Sequence, residues 1–249
     1  MMVSFDTVGN IVIFSEEFKG IKEKSKELLK LKNIETVAVK TEEHSGVYRT
    51  KKVKIIAGKK NKETIHKENG VQVKLNIETC YFSPRLSTER ARITKQIKKG
   101  ESSLVMFSGV GIYPINFSKN SQAKEIYGVE INPRCHRYAL ENLELNKVKN
   151  VKLFLGDAKK ILPKIRKKFD RIVMPLPKSA EDFLELAEKK INKNGIIHFY
   201  DFEKEEDIPE KSIEKIRNKI KKFKILKVVK CGGFGPGRFR VCVDFIYLQ

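Results

Sequence analysis

The stretch "CYFSPRLSTERARI", residues 80–93, gathers side chains that can hold or move charge: Arg85, Glu89, Arg90 and Arg92. A carboxylate held rigidly beside a weakly acidic N–H can act as a general base. The same Glu89, in the first turn of a helix capped by Ser87, would also simply favour the positive helix N-terminus. Both readings hold at once if the helix start fixes the carboxylate.

A second cluster follows. "VMFSGVGIY" places Gly109 and Gly111 directly after an apolar run, and glycines there let the backbone approach a ligand. An ordinary β-turn-α connection explains them equally well. The next apolar run, "YGVEINP", ends in Glu130, about 20 residues on, where an acid accepts hydrogen bonds from ribose hydroxyls. The third slot of G-x-G-x-x-G is Pro114, so the pyrophosphate fingerprint is incomplete. A ligand with a ribose and no pyrophosphate fits, and S-adenosylmethionine is the common one. Phe107, Ser108, Gly109, Val110, Gly111, Glu130 and Ile131 are its candidate contacts. Asp157 and Ala158 in "LFLGDA" end the next strand and are candidate contacts to the adenine; a helix N-cap is the other reading of Asp157. In "IVMPLPKSA", Pro175 and Pro177 donate no backbone hydrogen bond and stop the strand. That stop lies at the carboxyl edge, where open α/β sheets bind ligands. Both prolines are candidate substrate contacts, and Pro175 also a cofactor contact.

The elements that must position these residues fall into two groups. Up to residue 79 the pattern is a small α+β unit: strands at "NIVIFS", "IETVAVKT" and "VYRTKKVKIIAG", a helix at "FKGIKEKSKELLKL", and a hairpin at "TIHKENGVQVKLNI" turning at "ENG". After a linking helix segment over residues 80–99, strand and helix alternate to the end, and the chain closes on two β-rich runs joined by a Gly-Pro loop. Such alternation implies a mostly parallel sheet covered on both faces, with an antiparallel edge from the last hairpin. The expected fold is α/β: a Rossmann-like domain over residues 80–249, preceded by the α+β domain over residues 1–79.

Composition narrows the partner. The 249 residues carry 52 Lys plus Arg against 31 Asp plus Glu, a formal charge of +21, which favours a polyanion and above all nucleic acid. A thermophilic bias would raise Glu together with Lys, and Glu does not keep pace. No apolar run approaches the roughly 20 residues of a membrane helix, and the N-terminus has no signal-peptide pattern, so a cytoplasmic protein is expected. The four cysteines (Cys80, Cys135, Cys231, Cys242) and four histidines (His44, His66, His136, His198) are scattered without zinc spacing, and no metal is expected. Candidate phosphate contacts are Arg85, Arg90, Arg92, Arg134, Lys178 and Arg238; Arg238 stands in a Gly-Pro loop able to close over a base. Tyr81, Phe107 and Tyr113 are candidates to stack on a flipped base.

In order along the chain, "GVYRTKKVKIIAG", "ETIHKENGVQVKLNIETCYFSPRLSTERARI", "MFSGVG", "VEINP", "MPLPKSAEDFL", "GIIHFYDF" and "GPGRFRVCVDF" resemble the archaeal and eukaryotic tRNA (guanine-37, N1)-methyltransferase family. That family is related to the aminocarboxypropyl transferases of wybutosine synthesis. The resemblance covers nearly the whole chain. It implies a class I methyltransferase fold, S-adenosylmethionine as donor and the tRNA anticodon stem-loop as substrate; a monomer is expected. The family's further N-terminal tRNA-binding module lies ahead of the part matched here. The resemblance puts the family's catalytic arginine on Arg49 and its glutamate on Glu89. The glutamate would take the guanine N1 proton, and the arginine would stabilise charge growing on O6.

Three positions depart from the family's pattern. Val105 stands for an Asp, Ile112-Tyr113 for Pro-Phe, and Pro175 for an Asn. "SPRLSTER" and "PLP" side with methyl rather than aminocarboxypropyl transfer. Methylation of a tricyclic guanosine intermediate and a non-catalytic RNA-binding module are the competing readings.

Overall fold

The computed structural model describes residues 3–43, 45–176 and 178–249, with only the backbone of Phe234. The expected substrate contact Pro177 lies outside the described residues, as does His44. The described residues form a four-stranded sheet, a two-stranded hairpin and a seven-stranded sheet.

The four-stranded sheet holds β1 (Phe5–Val8), β2 (Ile11–Phe14), β3 (Thr36–Lys40) and β4 (Val53–Gly58), with α1 (Ile21–Leu28) between β2 and β3. The strand expected over "VYRTKKVKIIAG" begins only at Val53. Residues 46–49 form a turn closed by the Ser45–Thr50 bridge, and Arg49 takes a left-handed φ of 53° there. The physical reason is local: Gly46 at φ 68° reverses the chain before the alternating run can start.

The hairpin pairs β5 (Glu63–Glu68) with β6 (Val71–Asn76) through Asn69 and Gly70, at φ 47° and 73°. Two consecutive positive φ values give the turn whose twist matches the strands, and Asn-Gly is the pair that tolerates them best. The outer edge of β6 is completed by side chains of α4 (Pro133–Leu145) and the residue after it. Asn142 exchanges two hydrogen bonds with the Lys74 backbone, at 2.7 and 2.9 Å. Asn146 does the same with Gln72, at 2.9 and 2.6 Å.

The seven-stranded sheet uses β7 (Ser102–Met106), β8 (Glu125–Glu130), β9 (Val151–Leu155), β10 (Phe169–Met174), β11 (Ile191–Lys204), β12 (Phe223–Gly235) and β13 (Arg238–Tyr247). Their order is β12-β13-β11-β10-β7-β8-β9. The five strands from β7 to β11 are parallel, and β13 runs antiparallel to β11, giving the antiparallel edge. The order reverses between β7 and β10, the switch point where such sheets bind ligands.

The sheet has a core on each face, because successive side chains alternate. Leu104, Met106, Ile172, Met174, Phe199 and Val243 enter one core, near α6 (Leu184–Lys190) and α7 (Glu210–Lys219). Val105, Val173, Tyr200 and Cys242 enter the other, with Ile93 of α2 (Ser87–Lys95) and Ile112, Tyr113 and Ile115 of α3 (Ile112–Asn120). This second core also takes Val71, Val73 and Leu75 from the hairpin and Val8, Ile11 and Val53 from the small sheet, without a break at residue 79. The α2 helix opens on Leu86, which makes no side-chain cap bond, so Ser87 is its first residue rather than its cap. Glu89 does lie in its first turn.

Candidate active site

An open cavity of about 940 Å³, including solvent at its mouth, lies at the switch point. One wall is the turn after β7, Phe107 to Val110, with Glu130 and Ile131 from the end of β8. The other carries Val47, Tyr48 and Arg49 from the first sheet's turn, with Tyr81, Phe82, Arg90 and Tyr113 at its base. Pro175 and Leu176 close it on the β10 side.

The β7 turn is bent for close approach. Phe107 holds φ 68° and Gly109 φ 58°, and a Cβ on Gly109 would meet nothing within 4 Å. The side of Gly109 where a Cβ would stand therefore faces open space, while its N–H donates to Glu130 Oε2 at 2.6 Å. The other Glu130 oxygen accepts from the Asn132 N–H at 2.7 Å. Asn132 is fixed in turn as the N-cap of α4, accepting from the Arg134 and Cys135 N–H groups. Burial pushes the Glu130 carboxyl above the usual range, against the pull of these backbone donors. Gly111 initiates α3 and stands behind the lining residues.

Glu89 is placed differently. It is 6% exposed, and it is absent from the described residues that line the cavity. Arg92 grips both of its oxygens, Nε to Oε2 at 2.7 Å and Nη2 to Oε1 at 2.8 Å. The Tyr200 hydroxyl also donates to Oε1, at 2.8 Å, and stands 3.0 Å from the hydroxyl of Tyr113. Arg92 continues to Asp244, at 2.5 and 3.1 Å. Asp244 meets His198 Nδ1 at 2.6 Å, and His198 Nε2 lies 2.7 Å from Arg171 Nη1. Arg171 closes the line on Glu101.

Hydrogen-bond chemistry fixes the histidine. A guanidinium only donates, so His198 Nε2 must accept and Nδ1 must carry the proton that goes to Asp244. His198 is therefore neutral. Burial pushes its imidazole below the ordinary value, and Asp244 offsets this only in part. Burial opposes the charge on Asp244 as well, but His198 and Arg92 outweigh it and hold the carboxyl far below its usual range. His198, Cys242 and Asp244 bring their donor atoms within 4.8 Å of one another. Asp244 is already paired with Arg92, His198 with Arg171, and Cys242 Sγ with Asp244 Oδ1 at 3.3 Å.

The remaining candidates divide. Asp157 caps α5 (Ala158–Ile161), accepting from the Lys159 N–H at 2.9 Å, and neither Asp157 nor the buried Ala158 is among the lining residues. Arg90 and Arg92, expected as phosphate contacts, are instead internal ion-pair partners. Arg90 is 2% exposed, bidentate to Glu68 at 2.5 Å for both bonds, and stacked over Phe82. Arg85 is exposed and bonds Asp6 at 2.6 Å. Arg134, Lys178 and Arg238 are exposed, and Arg238 starts β13, away from the cavity lining. Tyr48, Leu176 and Tyr200 were not anticipated. The signal for Tyr200 was a polar alternation, His198 and then Tyr200, inside an apolar strand.

The parallel sheet with a reversed edge strand and a glycine turn facing an acid at the switch point define a class I methyltransferase fold. The model of the TRM5/TYW2 methyltransferase domain matches residues 64–229, and the chain belongs to this family. It is 41% identical to the tRNA (guanine(37)-N(1))-methyltransferase Trm5b of Pyrococcus abyssi, over 97% of this chain and 74% of that protein. Its structure superposes with a TM-score of 0.87 on the complex of aTrm5 and tRNALeu, at 30% identity over 99% of this chain and 72% of the other. With Methanocaldococcus jannaschii TYW2, a structure in complex with AdoMet, the TM-score is 0.76 at 26% identity, covering 99% and 100% of the two chains.

S-adenosylmethionine is the cofactor of this enzyme, and the cavity's donor set suits it. Glu130 offers oxygens to ribose hydroxyls, Ile131 and Phe107 give apolar surface, and the bare front of Gly109 admits close backbone approach. Ser108 Oγ is buried on the same wall without a protein partner.

Proposed function

We propose that this enzyme methylates N1 of guanosine 37 in the anticodon stem-loop of tRNA. The observation that carries the reading is one cavity walled on one side by the Gly109–Glu130 turn and on the other by Arg49, with Glu89 linked to it through Tyr200 and Tyr113. S-adenosylmethionine, when bound, supplies an electrophilic methyl group. Glu130 and the backbone of residues 107–110 hold its ribose and adenine side. Arg49 directs its guanidinium to guanine O6 and stabilises the negative charge that grows there as N1 loses its proton. Glu89 is the final acceptor of that proton. Tyr48 and Tyr81 offer rings to the flipped base, and Pro175 forms a stiff rim beside it.

Residues 1–79 orient the RNA and contribute Arg49, and residues 80–249 hold the donor and the proton acceptor Glu89. The charge of +21 supplies affinity for the phosphate backbone, with Arg85, Arg134, Lys178 and Arg238 as exposed contacts. The enzyme acts as a cytoplasmic monomer and without a metal ion. Among the described residues no helix is long and apolar enough to cross a membrane. The test is transfer of labelled methyl to a tRNA transcript. Label is expected with guanosine at position 37 and lost when adenosine replaces it; equal labelling of both would overturn the assignment.

Aminocarboxypropyl transfer uses the same donor and is the second reading, favoured by the TYW2 half of the family description and by the likeness to Methanocaldococcus jannaschii TYW2 over its whole length. The "PLP" run and the "SPRLSTER" stretch argue for methyl transfer.

A further inference from the structure

Glu89 raises a problem of access. A general base must come within hydrogen-bond reach of the proton it takes. This carboxylate is 6% exposed, stands outside the cavity lining, and has both oxygens engaged by Arg92. Swinging it toward the substrate would strip a bidentate guanidinium in a buried setting, which is strongly unfavourable.

The structure offers a route that leaves Glu89 in place. Tyr113 lines the cavity, its hydroxyl is 3.0 Å from that of Tyr200, and Tyr200 donates to Glu89 Oε1 at 2.8 Å. A phenol has one hydrogen, and that of Tyr200 is given to Glu89. The hydrogen between the two tyrosines therefore belongs to Tyr113. The line is polarised in one direction, Tyr113 to Tyr200 to Glu89, and leaves the Tyr113 oxygen with lone pairs free to accept.

We propose that Tyr113 and Tyr200 relay the guanine N1 proton to Glu89. The proposal rests on the methyltransferase reading above. As the N1 lone pair bonds the methyl carbon and the methyl–sulfur pair goes to sulfur, the N1 proton passes to the Tyr113 oxygen. The Tyr113 proton passes to Tyr200, and the Tyr200 proton to Glu89 Oε1. Both phenols end as they began, Glu89 ends as the neutral acid, and the proton later leaves by the reverse route.

Two further observations support the direction of flow. Along the buried line from Glu89 to Glu101 there are three carboxylates, Glu89, Asp244 and Glu101, and two guanidiniums, Arg92 and Arg171, with a neutral His198. The line is one proton short of neutrality. Asp244 is saturated by donors from Arg92, His198 and Gln96, and Glu101 lies at the far end behind Arg171, so Glu89 is the one carboxylate of the line that the tyrosines reach. Burial also pushes both phenols well above their ordinary value, so they pass a proton on rather than resting as phenolates.

The test measures single-turnover methyl transfer to tRNA in mixtures of light and heavy water for the wild type, Tyr113→Phe and Tyr200→Phe. S-adenosylmethionine affinity by calorimetry and thermal melting serve as folding controls. The relay requires a curved dependence on deuterium fraction in the wild type, since several protons move together. Each variant should bind the donor normally and lose about 10²-fold or more in rate, within the range of general acid–base contributions. A linear, single-proton dependence in the wild type would overturn the relay and leave the tyrosines as props for Glu89. So would a Tyr113→Phe rate within about twofold of wild type. In either case the wild-type product, analysed as the position-37 nucleoside, still contains N1-methylguanosine and the functional reading stands. A wild type that makes no such product removes both.

Discussion

Two buried carboxylates flank the same cavity wall and are satisfied in opposite ways. Glu130 is held by backbone N–H groups of Gly109 and Asn132, with no cation bonded to it among the described residues, and it faces the cavity. Glu89 is held by a guanidinium and a phenol and faces inward. Backbone donors come from the rigid turn itself, so Glu130 can accept further hydrogen bonds without rearranging anything. Side-chain donors tie Glu89 into a charged line that reaches Glu101. One carboxylate is built to hold a ligand and the other to store a proton.

The difference can be broken from either side. The largest expected effect is on chemistry: Glu89→Gln should lower the methyl-transfer rate by about 10²–10⁴-fold and leave donor affinity intact, read by single-turnover assay and calorimetry. An unchanged rate would remove Glu89 from the reaction. Next in size, Arg92→Met deprives Glu89 and Asp244 of a shared buried partner and should destabilise the fold by about 3–5 kcal/mol in denaturant titration. Glu130→Ala should act on binding instead. The lost hydrogen bonds to a charged group correspond to about 1.5–3 kcal/mol, and calorimetry should show S-adenosylmethionine affinity falling about ten- to a hundredfold. Equal donor affinity would detach Glu130 from the ribose.

The smallest expected effect is a pH dependence of stability. His198 is neutral in the fold: burial, Arg171 on β10 and Arg92 on α2 oppose a second proton, and Asp244 on β13 offsets them only in part. In the unfolded chain it gains a proton below about pH 6.5, so the unfolded state then binds more protons. Stability is complete above that pH and falls as pH drops below it, by up to about 1.4 kcal/mol per unit. His136, also held down by burial, works in the same direction. Melting temperature followed from pH 7 to pH 5 should show a shallower slope in His198→Asn than in the wild type.

The ligand wall was readable in the sequence because its parts are local. A strand, a glycine turn and an acid at the next strand's end are separated only by one helix, so spacing alone brought Gly109 and Glu130 together. The alternating runs fixed the strands of the large sheet for the same reason. The charged line was not readable. Arg92 finds Asp244 152 residues away and Arg90 finds Glu68 22 residues away, and no short-range pattern marks either pair. Both arginines therefore read as surface cations. The turn at Arg49 was lost in a β-like alternation, since Val47 and Arg49 fit the period that Gly46 overrides. The departure Ile112-Tyr113 was visible as a residue change, but its hydroxyl acquires meaning only once β11 brings Tyr200 beside it.

The central claim, methyl transfer to N1 of guanosine 37 with Glu89 as the terminal base, is tested most directly by mass analysis of the position-37 nucleoside. The tRNA is incubated with S-adenosylmethionine and either the wild type or Glu89→Gln. A single methyl on N1 with the wild type, and unmodified guanosine with the variant at the same time point, is the result predicted here. An aminocarboxypropyl group, or equal methylation by both proteins, would contradict it.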